Sequence, residues 1–194
     1  MKKIFAADIF LFFFFGVCPA QIKSFEDAQK EISLFDEPAA FSLAYDETKY
    51  LTAAEARLEI LEEKNGLRKQ FQKFEWQLSS SFAIKGIDKK PVRNTLCITT
   101  QSKQFAFSRE NNLTVFLSEE DVNLGEPNRL SEIKRGKATE KMCWEVDKEI
   151  FRDFADQEKI EFQIGSLKLT VPASKIRIFK DFKKLLTVSD HDSK

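Results

Sequence analysis

From Phe74 onward the apolar residues of this chain recur at every second position, and that period commits the larger part of it to a β-sheet. Phe74, Trp76 and Leu78 alternate with Glu75 and Gln77, and Phe82 and Ile84 resume the alternation after Ser79-Ser80-Ser81. Successive side chains of a strand point to opposite faces, so such a segment buries one face and wets the other. The three serines are where a bulge is expected. The same strand character returns over 94–100, 104–108, 113–117 and 141–146. It returns again where Ile160, Phe162 and Ile164 precede Leu167, Leu169 and Val171. Turn residues separate the runs at Gly86 to Pro91, Asn111-Asn112 and Gly165-Ser166, which predicts an antiparallel meander followed later by a two-residue β-hairpin.

Elsewhere the period is helical. Ser24-Phe25-Glu26-Asp27 forms a capping box, and Phe25, Ala28 and Ile32 share a face, so a helix is expected over 25–34, stopped before Pro38. Residues 36–50 show no period and are expected to form a surface connection. Thr52-Ala53-Ala54-Glu55 is a second capping box followed by good helix formers through Lys64, with Asn65-Gly66 as a left-handed cap. This predicts a second helix over 52–64. Asp147 heads a helix through Gln157 with Ile150, Phe151, Phe154 and Ala155 on its inner side. A last helix, from Pro172–Ser174 to Leu186, is apolar over more than one stripe and is expected to be buried against the sheet. Residues 118–139 are polar, carry Gly125, Pro127 and Gly136, and are expected to form a long loop.

The expected fold class is therefore α+β: an antiparallel sheet of about six or seven strands, two helices of the C-terminal half packed on one face, and a short helical N-terminal portion. The helical portion spans 21–70 and forms one domain with the sheet and helices of 71–186. A polar tail occupies 187–194.

The first twenty residues have a different design. Lys2 and Lys3 precede the run Ile4 to Val17, and Cys18-Pro19-Ala20 supplies small residues at the processing positions. This is the order of a cleavable secretory signal peptide over 1–20, cut after Ala20. A retained membrane anchor fits less well, because a spanning helix needs roughly 20 apolar residues and this run is shorter and interrupted by Asp8. Lipid attachment at Cys18 is disfavoured by Val17, where a smaller residue usually stands. The Met-Lys-Lys start and the abundance of Lys, Glu and Phe suit a bacterial exported protein, periplasmic or secreted. In that setting the Asn112-Leu113-Thr114 sequon carries no sugar.

Removal of Lys2, Lys3 and Asp8 with the signal leaves 29 basic and 30 acidic residues. Near-neutrality supplies no long-range field for nucleic acid, and membrane contact is not expected after cleavage. Cys97 and Cys143 remain. Each is out of phase with the bulky residues of its strand, Cys97 opposite Leu96 and Ile98, Cys143 opposite Met142, Trp144 and Val146. A cross-strand disulfide forms if the two strands are neighbours; otherwise both are free, half-buried thiols.

No pattern marks a catalytic, cofactor or metal site. The sole histidine, His191, stands in the polar tail, where Asp190-His191-Asp192 is better read as a solvated end than as a metal site. The six glycines are scattered singly, so no phosphate loop is expected. Glu75, Glu145 and Glu161 lie in predicted strands as the acids a two-carboxylate hydrolase could draw on. Trp76 and Trp144 are in phase with core residues and are expected to be buried. Lys175, Arg177, Lys180, Lys183 and Lys184 on the last helix match a membrane-surface helix, or more simply a helix packed on the sheet with its lysines reaching water. Glu119-Glu120 and Arg135 in the long loop match a protein contact or a solvated loop. The expected function is a non-enzymatic binding or structural module of the envelope or exterior, without cofactor, whose partner is an envelope or extracellular protein or polymer. The alternative is a carboxylate-based hydrolase acting on such a polymer.

Overall fold

The computed structural model of the chain describes residues 22–61, 67–88, 90–107, 111–117 and 121–187. The proposed signal peptide, Asn65-Gly66, Glu119-Glu120 and the 190–192 triplet lie outside the described residues. In chain order the elements are β1 (Lys23–Ser24), α1 (Phe25–Ile32), β2 (Phe41–Asp46), β3 (Leu51–Glu59), β4 (Phe71–Phe82), β5 (Gly86–Ile87) and β6 (Arg93–Ser102). They continue with β7 (Leu113–Phe116), β8 (Asp121–Asn123), β9 (Asn128–Lys134), β10 (Lys137–Glu145), α2 (Lys148–Asp156), β11 (Glu161–Ile164), β12 (Leu167–Thr170) and α3 (Ala173–Leu186). The fold is α+β. A six-stranded antiparallel sheet in the order β2-β3-β4-β6-β10-β9 is accompanied by a four-stranded sheet, β12-β11-β7-β8, and by the short pair β1-β5.

The large sheet has one apolar face. Phe74, Trp76 and Leu78 of β4 lie beside Leu96 and Ile98 of β6, which lie beside Met142 and Trp144 of β10, all of them buried. The smaller sheet and the two later helices cover this face. The Trp76 ring meets Phe162 of β11 at 3.8 Å between centroids, and Phe154 of α2 contacts both Phe162 and Phe179 of α3 edge-on. Edge-to-face rings satisfy the quadrupole preference of aromatics while filling the layer. Both tryptophans are therefore core residues, and Trp144 Nε1 donates to the Gly125 carbonyl at 2.9 Å. The hairpin at Gly165-Ser166 forms with Ile164 opposite Leu167. Gly165 has φ +56°, and a Cβ there would stand 2.5 Å from Asn111 Oδ1, so a larger residue would be strained and would displace the Asn111 side chain.

Several local expectations are corrected. Residues 51–59 are strand, not the helix expected over 52–64. Thr52, Ala54, Ala56 and Leu58 are buried at every second position, and β3 bonds β2 on one side and β4 on the other. Helix preferences amount to a few tenths of a kcal/mol per residue, roughly, and two flanking partners with a buried face outweigh them. Residues 41–46, expected as a connection, form the edge strand β2, where only Phe41 is buried and alternation is weak. The turn after it is held by the Asp46 carboxylate, which accepts from the Thr48 and Lys49 N–H groups at 2.9 and 3.1 Å.

Ser79-Ser80-Ser81 pair regularly, and the register shift falls instead between Phe71 and Lys73. The strand expected over 104–108 does not form in the described part, 104–107, because β6 ends at Ser102 and the chain leaves the sheet there. The expected loop 118–139 contains β8, β9 and the start of β10. Its turn, Arg135-Gly136, has φ of +53° and +73°, the two positive values a type I′ hairpin requires. Strand β9 is a solvent-exposed edge, so its sequence carries no buried alternation. Among the described residues no helix is long and apolar enough to cross a membrane.

Candidate functional site

The sheet order places β6 beside β10, and their register sets Cys97 opposite Cys143. The structure joins the two in a disulfide, with 4.1 Å between the Cα atoms. The bridge lies on the outer face, away from Trp76 and Trp144, as the strand phases require.

The three strand carboxylates occupy separate places. Glu75 pairs with Lys73 at 3.0 Å on the outer face of β4, and Glu145 pairs with Arg93 at 3.0 Å at the end of β10. Glu161, on the other sheet, pairs with Lys159 at 2.8 Å and with Lys168 at 3.4 Å. The hydrogen bond from Lys159 holds the Glu161 carboxyl below its usual range against the opposing pull of desolvation, and Lys168 adds to the same direction. Four of the five basic residues of α3 are likewise engaged, Lys175 with Glu37, Arg177 with Asp36, Lys183 with Asp156 and Lys184 with Asp181, while Lys180 has no ion partner among the described residues. Its apolar residues Ile176, Ile178, Phe179, Phe182, Leu185 and Leu186 are buried. Among the described residues no group of three or more potential metal ligands converges.

Two clefts open at the two ends of β6, about 30 Å apart at the usual rise of a strand. The larger, of about 1010 Å³, is lined by segments 90–94, 122–124 and 145–152. Its carboxylates, Glu145, Asp147 and Glu149, all come from the five residues that leave β10 and start α2, whereas segments 90–94 and 122–124 contribute none. A glycosidic bond needs carboxyl groups on both of its sides. Here Glu145 is already matched by Arg93, so cations and anions are interspersed along the lining.

The smaller cleft, of about 640 Å³, lies where the turn Leu67–Lys69 and the start of β4 meet the end of β6. Arg68, Lys69 and Lys103 line it with Gln70, Gln72, Gln104 and the half-exposed ring of Phe105, and among the described residues no acidic one is part of the lining. The Phe71–Ser102 pairing brings the two segments together. Beneath them a buried ion pair fixes the backbone. Glu140, fully buried on the inner face of β10, pairs with Arg129 of β9 and accepts from the Ala106 N–H at 2.6 Å. Arg129 also donates to the Phe107 carbonyl at 2.7 Å. The chain from 103 to 107 is thus held against the sheet edge without belonging to it.

None of the residues lining the smaller cleft was singled out from sequence. The available signal was the tripeptide Lys-Gln-Phe, present at 69–71 and again at 103–105. Only the pairing of β4 with β6 makes the two copies neighbours. Comparison of the chain with protein-family models, with curated proteins and with solved structures found no match.

Proposed function

We propose that this protein is an exported binding module of the bacterial envelope or exterior, working without catalysis on a polymer or protein of that compartment. Export rests on the signal-like residues 1–20 and agrees with a disulfide on the sheet, since such bridges persist in oxidising compartments. The observation that carries the binding assignment is the distribution of carboxylates. Glu75 and Glu145 stand apart on the outer face of the large sheet and Glu161 stands on the smaller sheet, each matched by a cation, and the acids of the larger cleft come from a single segment. That arrangement favours recognition over bond cleavage.

The test is retention without turnover. Protein spanning 21–194, with its disulfide intact, is incubated with isolated envelope from its own source and centrifuged, and the supernatant is assayed for new reducing ends. Retention in the pellet with no new ends is the expected result. Release of new ends that is lost in Glu145→Gln would replace the binding module by the hydrolase.

A further inference from the structure

The smaller cleft contains unspent charge. Arg68, Lys69 and Lys103 are exposed and form no ion pair among the described residues. Like charges on one lining with no counter-charge among the described residues repel one another, and an anion among them relieves that repulsion. The backbone that carries them is fixed from below: Gln70 N–H bonds the Leu67 carbonyl at 3.0 Å, and Glu140 and Arg129 hold Ala106 and Phe107. A site on a held backbone loses less freedom on binding than one on a loose loop.

We propose that this cleft binds an anionic glycan, a linear sugar polymer bearing carboxylate or phosphate groups. The anionic groups are received by Arg68, Lys69 and Lys103 as charge-assisted hydrogen bonds. Gln70, Gln72 and Gln104 each offer an amide donor and an amide acceptor, which matches the mixed donor and acceptor character of hydroxyls. Phe105, 43% exposed at the cleft, presents a rigid ring on which the apolar face of a sugar can lie. A nucleic acid would also meet the cations. It is less well matched here, because the lining has one exposed aromatic ring and three amides, and the near-neutral chain lacks the basic field of nucleic-acid binders.

The inference names the ligand class for the binding module proposed above and rests on that assignment. Its test uses the disulfide-intact 21–194 protein and four probes: polygalacturonate, phosphorylated dextran, unmodified dextran and oligothymidylate. Binding of at least one anionic glycan is expected, weakening as salt is raised, with no binding of unmodified dextran. Which of the two binds identifies carboxylate or phosphate as the recognised group. The variant Arg68→Ala/Lys69→Ala/Lys103→Ala should lose about tenfold or more in affinity through lost charge-assisted bonds. Phe105→Ala should lose about threefold through lost ring contact. All four substitutions lie on the surface, and an unchanged thermal midpoint shows that each variant is folded. The proposal is overturned if neither anionic glycan binds, if the triple variant binds like the parent, or if oligothymidylate binds as tightly as the better glycan. The two proposals fail separately. Envelope retention that survives in the triple variant rejects this cleft alone, whereas absence of retention in the parent rejects the binding module itself.

Discussion

Strand β10 carries two glutamates five residues apart, each paired with an arginine, and the two pairs serve opposite ends of the sheet differently. Glu140 points inward, is fully buried, and with Arg129 anchors the segment that forms the cationic cleft. Glu145 points outward, where it and Arg93 keep 63% and 64% of their side-chain exposure. The chemistry of the partners is the same. Burial makes the first a structural pin that cannot lose one member without exposing a bare charge to a dry interior, and leaves the second a pair that water can replace.

The sharpest way to break this contrast is Glu140→Ala. Uncompensated removal of one member of a buried pair costs about 3–5 kcal/mol, so urea unfolding should show a loss of that size. The double change Glu140→Leu/Arg129→Met should cost less than the single one, because no unpaired charge remains. A double variant as damaged as the single would mean that shape, not charge, holds the segment.

Between the two glutamates on β10 sits Cys143. Replacing both cysteines by alanine opens a loop of 46 residues and should cost about 2–4 kcal/mol, by the usual effect of cross-links on the unfolded chain. Denaturant titration with and without reductant should show the same difference in the parent and none in the variant. Because the bridge ties β6 to β10 independently of both ion pairs, its loss should leave the Glu140 and Glu145 contrast intact.

Arg135→Gly acts on the turn that joins the two strands carrying Arg129 and Glu140. Arg135 has φ +53°, a conformation that costs a non-glycine residue about 1 kcal/mol, so the variant should gain roughly that much and melt higher. A loss instead would show that the arginine side chain contributes more than its backbone strain costs.

Arg93→Ala removes a member of the exposed pair and should change stability by less than about 0.5 kcal/mol. Equal effects of Arg93→Ala and Glu140→Ala would end the comparison. The smallest expected effect is that of Glu161→Gln on the second sheet. Since its ion partners lower the Glu161 pKa in the folded protein, its contribution is present at neutral pH and is lost as pH falls through that lowered value. The gap between parent and variant in acid titrations should therefore close below the ordinary glutamate range.

How much of this was legible depended on where each residue's partners lie. Strands with one buried face, such as β4 and β11, could be identified because alternation records a two-sided environment. The β3 strand was misread because Ala53, Ala54, Glu55 and Ala56 are helix formers, although Thr52, Ala54, Ala56, Leu58 and Ile60 already stood at every second position. Strand β9 left no alternation because both its faces are wet, and its one local mark was the Arg135-Gly136 turn without the usual asparagine or aspartate. The phase of the cysteines was legible, while their pairing waited on strand order. The cationic cleft was the least legible part, since its two segments are more than thirty residues apart and acquire meaning only as neighbours.

The amino-acid order alone dictated the α+β character, the inward tryptophans, the outward sulfurs and the final buried helix, because each follows from the spacing of residues within a few turns of chain. Tertiary structure decided that β3 is a strand, that β6 adjoins β10, that Glu140 is buried, and that the two Lys-Gln-Phe segments share a cleft. Those outcomes depend on hydrogen bonds and burial supplied by distant segments, whose combined free energy exceeds the small local preferences from which a sequence is read.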